Sequence, residues 1–107
     1  MALSEFEKKA IMKLSSKLYR NYPLNDFIVF GSKAMDTDVM DSDIDVMILL
    51  DHTSQAIESE IDDLIFDINL EYDCLISAVF FSREELENGP LDQSPVYKKA
   101  MAEGTRV

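Results

Sequence analysis

Two short motifs, ten residues apart, restrict the folds open to this chain more than any other feature. The first is Phe-Gly-Ser at residues 30–32, where an apolar run ends in a Gly-Ser turn. The second is Asp-Ile-Asp at residues 43–45, which leads into the apolar run 46–50. Side chains at i and i+2 of a strand point to the same face, so Asp43 and Asp45 can share a cation. The spacing therefore predicts two strands that bring a tight turn beside paired carboxylates.

The residue types at these motifs suit a phosphate that carries a metal ion. Gly31 lets the backbone approach a phosphate closely, and Ser32 adds a hydroxyl donor. Carboxylates on an otherwise apolar strand need a cation or water, because removing an ion from solvent is unfavourable by several kcal/mol. An ordinary polar strand edge would account for the aspartates but not for the turn before them. Turn and aspartates together are what a metal-dependent reaction on a nucleoside triphosphate requires.

Other aspartate-rich motifs do not fit the sequence. An EF-hand loop starting at Asp41 needs Gly at its sixth position and Glu at its twelfth, where the chain has Val46 and His52. In haloacid-dehalogenase-like phosphatases the Asp-x-Asp pair follows an apolar strand, whereas here it opens one. The chain also lacks the Gly-x-x-x-x-Gly-Lys-Ser/Thr sequence of P-loop enzymes.

Length and composition predict one domain over residues 1–107, with 47% hydrophobic residues and only three Gly and three Pro. The single cysteine, Cys74, makes an intramolecular disulfide impossible and, with no signal peptide, favours a cytoplasmic location. No apolar run has the length of a membrane span. The net charge of −11 argues against a nucleic-acid polymer as partner, because such a partner requires a basic face.

Capping residues and hydrophobic spacing predict alternating strands and helices, and therefore an α/β or α+β domain with a small sheet covered by helices. The predicted strands are 27–30, 44–50 and 73–81. The first predicted helix spans about 4–21 and the last runs from Pro95 to about 102. Between them, one helix is predicted to begin after Thr53 or Ser54 and a short one after Ser82.

The two motifs and their spacing resemble those of the nucleotidyltransferases in the DNA polymerase beta superfamily. The Ser-Asp-Ile-Asp run at 42–45 is especially similar to that of minimal nucleotidyltransferases, or MNT proteins. The resemblance implies a mixed sheet and a third carboxylate at the start of a third strand, a position that Asp73 would occupy, with Glu71 as the fallback. It further implies that Asp43, Asp45 and Asp73 are catalytic and hold two Mg²⁺ ions.

The same resemblance implies that Gly31, Ser32 and Lys33 bind the triphosphate of ATP. Many family members read Gly-Ser-x-Ala-Arg-Gly, whereas this chain has Met35 and Asp36 at the last two positions. Lys33 would then supply the positive charge of the missing Arg, or else be a solvated loop lysine.

The activity implied by the resemblance is transfer of AMP from ATP to a hydroxyl acceptor, most naturally on a partner protein. The chain would be the MNT antitoxin of a pair whose toxin is a HEPN protein. Two alternatives are a small-molecule, aminoglycoside-like nucleotidyltransferase acting as a homodimer, and a catalytically weak antitoxin that acts by binding only. Segment 90–107 is the predicted docking element, with Val96, Tyr97 and Met101 as contacts.

Overall fold

The structure is a computed structural model that describes residues 3–31, 33, 43–89 and 93–107. Its elements follow the order α1 (Glu5–Asn21), β1 (Leu24–Phe30), β2 (Ile44–Leu50), α2 (Gln55–Tyr72), β3 (Ile76–Ser82), α3 (Arg83–Asn88), α4 (Pro95–Glu103) and β4 (Thr105–Arg106). None of the helices in the described ranges is long and apolar enough to cross a membrane.

Each of the α-helices α1 to α4 in the described part of the chain begins at a serine whose hydroxyl accepts a hydrogen bond from a backbone N–H three residues later. At α1 the cap is reciprocal: Ser4 accepts from the N–H of Glu7, and the Glu7 carboxylate accepts from the N–H of Ser4 at 2.9 Å. Ser54, Ser82 and Ser94 cap the other three helices in the same way. The predicted helix starts are therefore confirmed. The cap of α2 is Ser54 and not Thr53.

The four strands form one mixed sheet in the order β3-β2-β1-β4. β1 runs antiparallel to both β2 and β4, whereas β2 and β3 are parallel. This arrangement confirms the predicted mixed sheet flanked by helices. Strand β4, only two residues long, was not predicted, because a segment so short carries no hydrophobic alternation of its own.

The predicted start of β3 at residue 73 is wrong. Helix α2 continues to Tyr72, and Asp73 adopts the left-handed conformation (φ 50°) that ends it. The N–H of Cys74 then bonds to the carbonyl of Asn69 at 3.2 Å, so the chain is still completing the helix end there. β3 consequently begins at Ile76.

Each face of the sheet carries a hydrophobic cluster, and the two clusters are separate. The first face packs against α1 and α2, and its sheet residues are Phe27, Val29, Ile44, Val46, Ile48, Leu50 and Ile76. The second face meets Ala100 of α4, and its sheet residues are Ile28, Phe30, Met47, Leu49 and Phe81. Asp45 has the parity of Met47 and Leu49, so the alternation of β2 places its carboxylate on the second face.

Candidate nucleotide and metal site

The end of β1 and the start of β2 lie side by side, because Phe30 pairs with Asp45 across the antiparallel ladder. Gly31 follows with φ 77°, a left-handed conformation that turns the chain over this edge. A Cβ placed on Gly31 would lie 2.5 Å from Oδ2 of Asp45. The structure thus brings together the turn glycine and one aspartate that the sequence assigned to one site.

Gly31→Ala is therefore expected to damage the site in two ways. The left-handed backbone costs an L-residue about 1–2 kcal/mol, and the new methyl group would displace the Asp45 carboxylate. Both the melting temperature and ATP affinity should fall. Gly89→Ala is the matched control, because among the described residues its Cβ would meet the Glu85 carbonyl alone, at 3.2 Å, on a backbone without positive φ. Equal effects of the two substitutions would contradict the assigned contact.

Asp43 and Asp45 interact electrostatically at the start of β2. Asp43 directly precedes the strand and is exposed, whereas Asp45 is half-buried. Burial, followed by the negative charge of Asp43, raises the pKa of Asp45, and the positive charge of Lys99 partly opposes this. The pair is therefore a negatively charged site, and a bound cation would reduce the repulsion between its two carboxylates. Sequence reasoning missed Lys99, because only the packing of α4 on the sheet brings it near Asp45.

Asp73 does not join this pair. It is an exposed residue at the end of α2, outside β3, and it lines a groove with Phe66 and Leu75. Across the described ranges, no group of three or more His, Cys, Asp or Glu side chains is placed to hold a metal ion. The fallback, Glu71, lies within α2 and forms an ion pair with Lys13 at 2.7 Å. Among the described residues, Asp43, Asp45 and Asp73 are thus not gathered into one cluster, and Asp73 as a third ligand stays a prediction.

Lys33 is buried and ion-paired, so it is not a solvated loop lysine, whereas its contact with phosphate stays a prediction. Its side chain is only 4% exposed, and its Nζ lies 3.3 Å from Oε2 of Glu7 at the start of α1. The positive charge is thus already matched by a carboxylate, two residues after the glycine turn. Ser32 lies outside the described residues, as do residues 34–42.

The sequence matches the profile of the nucleotidyltransferase domain family over residues 11–105. The chain belongs to this family. The resemblance drawn from the two motifs is confirmed, and the matched range of the nucleotidyltransferase domain includes Gly31, Asp43 and Asp45.

The fold of the nucleotidyltransferase domain is also similar to a solved structure. That structure is described as a crystal structure of a toxin–antitoxin with AMP-PNP, and the TM-score is 0.60. The two chains are 22% identical, and the alignment covers 92% of this chain and 70% of the other. A comparison with curated proteins found no match. The structural likeness at this identity supports the fold assignment.

The ion pair between Lys33 and Glu7 predicts that Lys33 positions the turn of the nucleotidyltransferase domain. Lys33→Met and Glu7→Gln should each lower stability, with a coupling energy of about 1 kcal/mol or more in the double-mutant cycle. Glutamine retains the acceptor of the helix cap, so Glu7→Gln removes the charge alone. Both variants should weaken ATP binding similarly in calorimetric titrations. Weakening by Lys33→Met but not by Glu7→Gln would instead indicate direct contact between Lys33 and phosphate.

The predicted docking residues of the C-terminal segment are in different environments. Tyr97 packs edge-on against Phe81, with ring centroids 5.6 Å apart, so it belongs to the second hydrophobic cluster of the domain. Val96 and Met101 are 40% and 43% exposed and remain open to a partner. Residues 90–92 of this segment lie outside the described ranges.

Proposed function

We propose that this nucleotidyltransferase domain transfers AMP from ATP, with Mg²⁺, to a hydroxyl group of a partner protein. The observation that carries the proposal is the contact between the Gly31 turn and the carboxylate of Asp45, with Asp43 beside it. Membership of the family supports a transferase activity. The toxin–antitoxin neighbour with AMP-PNP supports an adenine nucleotide and a role in a toxin–antitoxin pair. The MNT antitoxin role and a HEPN-like toxin as partner are what the resemblance of the two motifs adds to this proposal.

The donor set at the start of β2 fits Mg²⁺. Asp43 and Asp45 offer hard oxygen ligands, and their mutual repulsion favours any cation that binds between them. Proteins often hold Mg²⁺ with one or two carboxylates and complete its coordination with substrate phosphates and water. Two carboxylates therefore suffice for an ion that arrives with ATP. When bound, the ion supplies charge neutralisation on the triphosphate and acidifies the acceptor hydroxyl.

The residues of the chain then act mainly by positioning. The backbone at Gly31, together with the Ser32 hydroxyl predicted from the sequence, would hold the outer phosphates. The acceptor oxygen forms a bond to the α-phosphorus while the bond from that phosphorus to the bridging oxygen of pyrophosphate breaks. Pyrophosphate leaves with the electron pair, and the hydroxyl proton passes to solvent. Positioning and charge neutralisation provide the rate enhancement.

The decisive experiment is intact-mass spectrometry of the partner encoded beside this protein, after co-expression. We expect the partner to gain the mass of one or more AMP groups with the wild type and none with Asp43→Asn/Asp45→Asn. An unmodified partner in the presence of wild-type protein would contradict the proposal.

Asp73→Ala distinguishes a site with two carboxylates from one with three. In the described part of the chain, Asp73 ends α2 and forms no group of three carboxylates with Asp43 and Asp45, so we expect this variant to retain transfer. Loss of transfer with unchanged ATP binding would instead support Asp73 as a third ligand, as the family pattern implies. Circular dichroism would confirm that the variant remains folded.

A binding-only antitoxin is the second candidate, and two observations favour it. The charge of Lys33 is engaged by Glu7, and the Arg common in the family is replaced by Met35. If wild type and Asp43→Asn/Asp45→Asn neutralise the partner equally, with no mass increase, this second candidate is correct.

A further inference from the structure

An apolar groove lies where the C-terminal part of α2 meets the segment that leads into β3. Phe66, Leu70 and Leu75 are 64%, 69% and 57% exposed, although each is a large apolar side chain. Together with Asn69, Asp73 and Cys74 they line a groove of about 290 Å³. We call this the α2 groove. Contiguous exposed apolar surface of this kind is typical of interaction sites, whereas scattered apolar residues are not.

The helix face that carries the groove is acidic. Asp62, Asp63 and Asp67 are exposed, and helical spacings of three or four residues place them beside Phe66 and Leu70. Helix α2 contains no Lys or Arg at all. Among the described residues, none of these three aspartates forms a salt bridge with a basic side chain. The apolar groove is thus bordered by uncompensated negative charge.

The backbone N–H and carbonyl of Ile76, which lie beside the α2 groove, already form hydrogen bonds. The carbonyl of Leu75 accepts from Ile44 of β2, so the backbone groups of the next residue, Ile76, face the open edge of the sheet. The Asn69 side chain accepts from the N–H of Ile76 at 2.8 Å and donates to its carbonyl at 3.3 Å. A ligand therefore meets side chains here, and extension of the sheet by another strand is blocked at this position.

We propose that the α2 groove binds a basic segment of a partner protein, with an apolar side chain inserted between Phe66, Leu70 and Leu75. Lys or Arg residues of that segment pair with Asp62, Asp63 and Asp67. Charge complementarity selects this occupant, because two α2 faces brought together from two copies of the chain would repel, and each copy carries a net charge of −11. The inference adds a location to the partner in the proposed function, and it does not depend on AMP transfer.

The probe is a synthetic amphipathic helical peptide with leucines at i and i+4 and lysines on both flanks, studied by fluorescence anisotropy with the full chain. A matched peptide has every lysine replaced by glutamine. We expect the basic peptide to bind at least about tenfold more tightly than the neutral one. Raising NaCl from about 0.05 M to about 0.5 M should reduce this difference, because salt screens charge pairs at the surface.

Two pairs of variants test the apolar and acidic parts of the α2 groove separately. Phe66→Gln/Leu70→Gln should weaken binding at least about tenfold, whereas Met12→Gln/Tyr19→Gln, on exposed positions of α1, should not. Asp63→Lys/Asp67→Lys should also weaken it. Glu84→Lys/Glu103→Lys changes the total charge equally at exposed positions elsewhere and should leave the affinity unchanged.

Several results would overturn the inference. These are equal binding of the two peptides, no binding of either, or equal effects of the groove and control variants. Self-association detected by light scattering and abolished by Phe66→Gln/Leu70→Gln would assign the groove to a second copy instead. ATP binding, measured on the same variants, should be unchanged. The ATP measurement therefore distinguishes an error in the proposed peptide binding at the α2 groove from an error in the proposed transferase activity.

Discussion

Asp45→Asn is expected to abolish AMP transfer and, at neutral pH without Mg²⁺, to stabilise the protein. Asp45 is half-buried beside Asp43, and both burial and that charge raise the pKa of its carboxyl group. An ionised Asp45 therefore opposes folding until a cation binds. Asparagine removes the charge but also removes a ligand of the proposed site. We expect transfer to fall at least about a hundredfold, as when other preorganised electrostatic groups are deleted.

The raised pKa of Asp45 also predicts how the stability of the metal-free protein depends on pH. A carboxyl whose folded-state pKa exceeds its unfolded-state value adds stability while it is protonated. Asp45 should therefore contribute stability at acid pH, and this contribution should be lost as pH rises through its folded-state pKa. In urea unfolding across this pH range, the free energy of unfolding should decline less steeply for Asp45→Asn than for the wild type. Parallel curves for the two proteins would contradict a raised pKa of Asp45 in the folded state.

Asp26→Asn is a control for Asp45→Asn, because we expect it to change the stability of the protein in the opposite direction. Its two carboxylate oxygens accept from Nε and Nη2 of Arg106 at 2.7 Å each, and one also accepts from the N–H of Phe27. This carboxylate is stabilised by its partners, so neutralising it should lower stability. Asp45→Asn and Asp26→Asn should therefore shift the urea midpoint in opposite directions at neutral pH.

Gly104→Ala is expected to cause the largest loss of stability outside the site. A Cβ at this position would overlap Cγ2 of Ile28 and the carbonyl of Ala100, and it would lie 3.0 Å from the carbonyl of Val29. Two of these atoms belong to the backbone, so they cannot move aside as a flexible side chain would. The methyl group must push α4 and the following strand away from β1.

The expected loss is about 1–3 kcal/mol or more, the range for overpacking of a close contact. For a domain of this length, that corresponds to a fall in melting temperature of roughly 10 °C. The hydrogen bond from the N–H of Val107 to the carbonyl of Phe27, 3.0 Å long, would also be disturbed. Gly89→Ala is again the matched control. Melting curves that were the same for both variants would show that the Gly104 contact is not tight.

Local signals in the sequence determined most of the elements. A cap serine bonds to the backbone only three residues away, so Ser4, Ser54, Ser82 and Ser94 could be recognised as helix starts without any tertiary information. Strand β2 is continuously apolar from Val46 to Leu50 after its opening aspartates, and its predicted bounds match the structure. The two motifs predicted a turn beside the aspartates, and the pairing of β1 with β2 produces that contact between Gly31 and Asp45.

The tertiary structure decided the features that depend on distant residues. Lys33 pairs with Glu7, Lys99 lies near Asp45, and the short strand β4 is held to β1 in part by Arg106 and Asp26. None of these pairs has a local pattern in the sequence, because each partner is chosen by the packing of separate elements. Asp73 was misplaced for a related reason: its position before an apolar run resembles that of Asp43, but it ends a helix. Sequence periodicity specifies which face a residue occupies, whereas the fold alone specifies what it meets there.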